Sequence, residues 1–478
     1  MISLRQNKSL MNRRMIFSVV AGLIMLFFLF GRLNHYLFIS LYESNYYRLG
    51  IPAMVAVYCA VRGFRDGTEM KILILYMIWA VISRILNGDR FLLIEGDYLI
   101  DLSTMILLLA PGILLRGQSR EKLFSTAAAI IVVFHLIMAI ICIYTAVTRT
   151  FLENPIDFWG IGYPNLSENR LYFLSYQWNE TAGLFVIAFG LSLMLLFRTK
   201  NRFVRAGLLA AAFADFVVVG LTVSRNGQTC VSLIIGLIFG ILAVDHLSEI
   251  EYWKRIAVFL AACVVGTVLI YQLFEPVRYG IWRFYQRQEI IVNADLDSTD
   301  SNVSFGARSA DNEGAEDSAI FSYEYSADNR AYLKSGRKEI FWSALKSLQL
   351  EPKRLLIGSG YYHVMDISHS LIHEQAKHFH NTFLQVVNEF GLIGLGVVIW
   401  FHVRMLICSY QVIFKAGKRI PIVEKMFVLL PLSLMFYYTL EVGIFKIVDR
   451  ADFRNTFFFF VCGMLVGVLR EKCKKETI

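Results

Sequence analysis

The sequence predicts an all-α integral membrane protein with about twelve transmembrane helices and one large extracytoplasmic loop. Three observations predict it. Of 478 residues, 56% are hydrophobic and only 18% charged, with a mean hydropathy of +0.53, too apolar for an ordinary soluble enzyme. Apolar runs of membrane-spanning length recur along the chain, and one helical crossing of a bilayer core takes about 20 such residues. Lys and Arg are dense in alternate connections and sparse between them, the asymmetry that sets orientation in a bilayer.

The first span, residues 15–30, follows Arg13-Arg14 and leads into no small-residue cleavage site, so it reads as an anchor rather than a signal peptide. A second, short span at 49–61 is followed by Arg62 and Arg65. The third and fourth, 72–86 and 99–115, enclose the cation-poor connection 87–98, and Arg116, Arg120 and Lys122 follow. The fifth, 123–148, leads to the aromatic segment 149–180. The sixth and seventh, 181–197 and 206–223, flank Arg198, Lys200, Arg202 and Arg205. The eighth and ninth, 228–243 and 256–273, flank Lys254-Arg255. Beyond the long segment 274–379 lies the tenth, 382–407, then Lys415, Lys418 and Arg419. The eleventh and twelfth, 426–440 and 455–469, precede Lys472, Lys474 and Lys475. An inside N-terminus puts all these cation clusters on the cytoplasmic face, with both chain ends there. The connection 441–454, carrying Lys446, Arg450 and Arg454, is the exception. The chain thus divides into an N-terminal bundle (1–205), a helical pair (206–273), the large outer loop (274–379) and a C-terminal bundle (380–478).

The net charge of +9 would suggest nucleic acid in a soluble protein. Here the cations are topology determinants beside anionic headgroups, and a nucleic-acid partner is rejected. The seven cysteines (Cys59, Cys142, Cys230, Cys263, Cys408, Cys462, Cys473) fall in spans or on the cytoplasmic side, which excludes a disulfide framework and paired-Cys metal spacing.

Both outer segments exceed ordinary connections. The smaller contains Pro155, Gly160, Gly162 and Pro164, with Trp159 and Trp178 as interfacial anchors. In the larger, 293–317 is rich in Asp, Asn, Ser and Gly and reads as flexible. A helix is expected from Ser335 to Leu345, with Phe341, Trp342 and Leu345 as its apolar positions. Pro352 is expected to stop it and Ile357-Gly358-Ser359-Gly360 to turn, with this half lying on the membrane surface.

Chemistry concentrates at three places. Ser224-Arg225-Asn226-Gly227 forms a tight connection at the outer ends of the seventh and eighth spans. An isolated arginine there would snorkel to headgroups, whereas as a fixed cation its planar fork suits phosphate. Arg337, in the ordered half of the outer loop, would alone be a solvated surface residue. His380-Asn381-Thr382-Phe383-Leu384 places an imidazole where an exposed segment enters the tenth span, and imidazole is the side chain best matched to proton transfer near neutral pH.

Other residues weigh less. His369, His373, His378 and His380 crowd together, but the histidine after His373-Glu374 comes one residue too late for HExxH, and no metal is assigned. Glu389, nine residues after His380, falls on the opposite helix face at about 100° per residue. Gly391, Gly394 and Gly396 suit close helix packing. Asp215, within the seventh span, is expected to face the interior and take a structural hydrogen bond.

The string HNTFLQVVNEFGLIG from His380 resembles the signature of the O-antigen ligase and polymerase family. The Ser224-Arg225-x-Gly227 turn and Ser335-Gly336-Arg337, followed five residues later by Trp342, resemble further family strings in the right order, across 207–401. Trp178-Asn179-Glu180 departs from the family's Asn-Pro-Asn-like string, and the acidic stretch of the large loop resembles an insertion. The resemblance implies a GT-C-like helical bundle in the bacterial plasma membrane, with its active site on the extracytoplasmic side and no cofactor. It implies metal-independent, inverting transfer from an undecaprenyl-diphosphate-linked glycan to a hydroxyl of a glycan or lipid-linked acceptor. His380 would be the base, Arg225 and Arg337 would hold the diphosphate, and Asn381 and Ser224 would assist in binding. Membrane lipids, a flippase and a chain-length regulator are the partners it suggests. The reading from another class is a multispan lipid-glycan flippase or transporter.

Overall fold

In the computed structural model, helices fall on the apolar runs. The structure describes residues 67–88, 96–148, 165–167, 170–172, 178–247, 251–277, 280, 337–349, 352–360, 379–415, 420–441, 445 and 453–473. Ten of the twelve expected spans are helical; the other two, 15–30 and 49–61, lie outside the described residues. The first helices are α1 (Thr68–Leu86), α2 (Gly96–Leu114) and α3 (Gly117–Thr148). An antiparallel hairpin follows, β1 (Asn165–Ser167) with β2 (Arg170–Tyr172), in a segment where no strand was expected. Next come α4 (Trp178–Arg198), α5 (Arg202–Leu221), α6 (Arg225–His246) and α7 (Tyr252–Gln272). The long segment supplies α8 (Arg337–Gln349) and α9 (Pro352–Ile357). The last group is α10 (Thr382–Tyr410), ending in a π-helical turn Gln411–Lys415, then α11 (Ile422–Lys425), α12 (Leu429–Thr439) and α13 (Phe453–Cys473).

Among the described residues, seven helical stretches are long and apolar enough to cross a membrane: Gly117–Tyr144, Asn179–Arg198, Arg202–Leu221, Arg225–His246, Tyr252–Val277, Thr382–Lys415 and Ile422–Thr439. They mark an all-α, multi-pass membrane protein. α4 is enclosed by α3, α5 and α6, whereas α7 buries little beyond the stripe of Phe259, Cys263 and Gly266 laid on α6. The rest of α7 is largely uncovered among the described residues, and its apolar sequence suits a lipid-facing position. α2 and α13 meet backbone to backbone: a Cβ on Gly112 would lie 2.1 Å from the Gly463 carbonyl carbon. Small residues permit such contacts where helix association depends on van der Waals packing.

α10 is broken. Gly391 has φ 70 and ψ −172 inside it, a conformation that favours glycine, and a Cβ there would meet the Leu356 carbonyl oxygen at 2.1 Å. The break frees carbonyls just above it, and α1 and the segment after α9 supply donors. Ser359 N donates to Asn388 O (2.8 Å), Gly360 N to Glu389 O (3.3 Å) and Trp79 Nε1 to Phe390 O (2.7 Å). Of the three glycines expected to pack closely, Gly391 and Gly394 do, but nothing lies within 4 Å of a Cβ on Gly396.

Two other expectations change, those for Pro352 and Asp215. Pro352 does not merely end a helix but opens α9, where its missing N–H costs nothing. α8 and α9 pack on the first part of α10: Ser347 Oγ donates to Asn388 Oδ1 (2.5 Å), and Ser83 Oγ of α1 to Ile357 O (2.5 Å). Asp215 faces the interior at 1% exposure, but neither carboxylate oxygen has a hydrogen-bond partner among the described residues.

The end of the bundle remote from His380 is tied by ion pairs. Glu69, 1% exposed at the start of α1, accepts from Arg404 of α10 and Arg470 of α13, both at 2.6 Å. Burial alone would raise this carboxyl, but the two guanidinium groups hold it below the usual range. Arg120 pairs with Glu471 (2.8 Å), and Arg198 lies over the rings of Phe124 and Phe427, which meet edge to face, while bonding Glu121 (3.3 Å).

Candidate active site

Four helix ends meet at the other end of the bundle: the starts of α4, α6 and α10 and the finish of α12. A helix start presents backbone N–H groups without intrahelical partners, so side chains must cap it. At α6 the cap is Ser224, whose Oγ accepts from Gly227 N (3.2 Å). The 222–224 turn before it is tight enough to hold Val223 at φ 53, and Thr222 Oγ1 accepts from Ser224 N (3.3 Å). At α10 the cap is Asn381, whose Oδ1 accepts from Leu384 N (2.9 Å). The cap preferences of Ser and Asn account for both residues locally. Their remaining hydrogen bonds reach across the bundle.

Asn381 Nδ2 donates to Thr439 O (2.7 Å) and Thr382 Oγ1 to Glu441 O (3.0 Å), so the start of α10 is sewn to the finish of α12. Phe379 N donates to Gln385 Oε1 (3.1 Å). Between these bonds His380 takes φ 50, a left-handed conformation uncommon for a residue with a side chain. Its Nδ1 lies 3.2 Å from Glu441 Oε2, and Glu441 is buried. The other carboxylate oxygen of Glu441 accepts from Asn179 Nδ2 (2.7 Å), and Asn179 Oδ1 accepts from Ser224 Oγ (2.8 Å). Tyr437 of α12 donates its hydroxyl to Asn179 O, while Asn226 Nδ2 of α6 donates to Tyr437 O (2.8 Å). The result is a closed network through α4, α6, α10 and α12.

The structure therefore brings together Ser224, His380 and Asn381. Arg225, the first residue of α6, is exposed and makes no ion pair among the described residues. Gln228, one turn further in, is 1% exposed, and its Nε2 has no hydrogen-bond partner among the described residues. Arg337 opens α8, and its side chain lies outside the described residues. One turn on, Ile340 clusters with Ala344, Phe379 and Leu384, which fixes the start of α8 near the residue preceding His380. Glu389 bonds Gln385 Nε2 (2.5 Å), one turn from the helix start. His369, His373 and His378 lie outside the described residues, and no group of three or more His, Cys, Asp or Glu is gathered among the described ones.

Three members of this site were not identified in the sequence. Asn179 stood only as a departure from a family string, Glu441 as part of a connection with too many cations, and Gln228 as the first residue of a span. A carboxylate directly after the aromatic end of a span is the one signal that marked Glu441.

Chemically, the site joins an imidazole whose Nδ1 faces a buried carboxylate to an exposed guanidinium at the start of a helix. Such a set can accept a proton at Nε2 and hold an anion nearby. No protein-family model matches the chain, and no curated protein matches it.

Proposed function

We propose that the chain is a metal-independent, inverting membrane glycosyltransferase that transfers or polymerises undecaprenyl-diphosphate-linked glycan repeats on the extracytoplasmic face of a bacterial plasma membrane. The observation that carries this reading is His380 at the mouth of the bundle, its Nδ1 set on Glu441 and its network reaching the turn that carries Arg225. The likeness of the Ser-Arg-x-Gly, Ser-Gly-Arg and His-Asn strings to the O-antigen ligase and polymerase family supports it, as do seven helical stretches, among the described residues, long and apolar enough to cross a membrane. In this reading the whole chain has twelve spans in a GT-C-like arrangement.

An acceptor hydroxyl attacks the anomeric carbon as His380 Nε2 takes its proton. The bond from that carbon to the diphosphate oxygen breaks, and the electron pair leaves with the lipid diphosphate. Arg225 and Arg337 hold that leaving group, with Gln228 offering a neutral donor and Asn381 and Ser224 holding the frame. Fixed donors aimed at developing charge are commonly the largest contribution to such catalysis. The lipid tail lies along spans, and the acceptor is a second lipid-linked repeat or a terminal carrier.

The test uses the full chain in detergent with undecaprenyl-diphosphate-linked oligosaccharide extracted from a strain lacking it. Longer or transferred glycan is expected from wild type, and at least about 10²-fold less from His380→Ala. Translocation of the lipid-linked glycan across vesicles by a His380→Ala chain, with no transfer by wild type, would make it a flippase instead.

A further inference from the structure

We propose that Glu441 is a positioning residue for His380, and that Asn179 locks Glu441 to the start of α6, so that the base and the diphosphate-binding turn form one rigid unit. The inference rests on the glycosyltransferase reading above and adds residues that neither the motif strings nor the resemblance assign.

The argument begins with what each group can do. A carboxylate accepts hydrogen bonds and donates none. With Glu441 Oε2 at 3.2 Å, Nδ1 of His380 carries the hydrogen, so in the neutral ring the lone pair lies on Nε2. The carboxylate thus selects the tautomer that a base needs. When the acceptor proton reaches Nε2, the ring becomes a cation beside an anion in a partly buried setting, and such a charge-assisted bond is stronger than the neutral one it replaces.

Glu441 can do this only if it is itself held. Oε1 accepts from Asn179 at 2.7 Å, and its own backbone oxygen accepts from Thr382 Oγ1 at 3.0 Å. Asn179 is fixed in one amide orientation, because its nitrogen must donate to the carboxylate while its oxygen accepts from Ser224 Oγ. Ser224 is the cap of the helix whose first residue is Arg225. Displacing Asn179 therefore loosens both the orienting carboxylate and the cap beside the arginine. Asn179 and Glu441 are 262 positions apart in sequence, so only the fold unites them.

Glu441→Gln tests the role with little change of shape. In full-length enzyme assayed with extracted undecaprenyl-diphosphate-linked oligosaccharide, kcat is expected to fall about 10²-fold, the range of positioned proton transfer, with donor KM unchanged. Glu441→Asp restores part of the loss, because it keeps the charge. The double variant His380→Ala/Glu441→Gln is expected to be no slower than His380→Ala, since both changes remove one function. A merely structural Glu441 would instead add its loss in full to that of His380→Ala. Should Glu441→Gln fail to accumulate, Asn179→Ala, which leaves the carboxylate in place, carries the test with an expected loss of kcat of about 10-fold and a raised donor KM, because it also frees the Ser224 cap beside Arg225. Wild-type kcat in Glu441→Gln or Asn179→Ala, or full additivity with His380→Ala, overturns the positioning role while leaving the transferase reading intact. A wild-type chain that transfers nothing overturns that reading and the proposal together.

Discussion

At the scale of single residues, the proposed reaction assigns the proton transfer to His380 and the fixed charge to Arg225. His380→Ala is expected to bind lipid-linked donor as wild type does, yet to lose at least about 10²-fold in transfer at saturating donor. A His380→Ala variant of full rate would remove the role. Arg225→Ala is expected to lose transfer while the chain stays inserted, and Arg225→Lys to recover only part, since an ammonium keeps the charge without the planar fork. Arg225→Ala with full rate would exclude it from the diphosphate site. His380, Asn381 and Ser224 were legible because each lies in a short string with a local meaning: a cap, a turn, a polar entry to a span. Asn179, Gln228 and Glu441 were not, because their meaning comes from helix ends far apart in sequence; His380 and Glu441 are separated by 61 positions and Ser224 and Asn179 by 45.

At the scale of elements, position was legible and detail was not. Hydropathy located ten helices because a bilayer admits few other ways to satisfy the backbone. It could not show that Gly391 breaks α10, since a glycine in an apolar run reads alike whether it packs or kinks. Gly391→Ala would need φ 70 and would push a methyl group onto the Leu356 carbonyl, so it is expected to cost ~2 kcal/mol or more. Thermal unfolding in detergent measures this; Gly396→Ala, facing open space, serves as the control and is expected to be near neutral. The clamp on Glu69 makes a separate prediction. Its carboxyl titrates lower when folded than the ordinary 4.5, so its stabilisation is present above that value and is lost as pH falls below it. The thermal midpoint is expected to drop on acidification in that window. In Glu69→Gln it is expected to be lower at neutral pH by the equivalent of ~3 kcal/mol and less acid-sensitive. A parallel acid response in both proteins would exclude Glu69 as the source.

For the whole molecule, the inside-positive placement of Lys and Arg predicts that the segment 274–379 faces outward. Ser304→Cys, in a cysteine-free background, is expected to react with an impermeant thiol reagent in intact cells. Labelling only after permeabilisation would put the proposed site on the wrong side. Transfer is also expected to continue in a chelator, with the arginines supplying the positive charge. Loss in EDTA restored by one metal would return attention to His369, His373 and His378.

The break in α10 divides that helix electrically as well as sterically. An unbroken helix of 29 residues would have one positive and one negative pole; α10 has two of each. The negative pole of its first segment falls in mid-bundle, where the N–H groups of Ser359, Gly360 and the Trp79 ring neutralise it rather than leaving it against hydrocarbon. The positive pole at His380 loses nothing, because a macrodipole's effect belongs to its terminal turn and amounts to about half an elementary charge whatever the length behind it. Nine residues, 382–390, therefore give an approaching anion the same field as the full helix would, and the longer segment below is left to satisfy only packing and lipid.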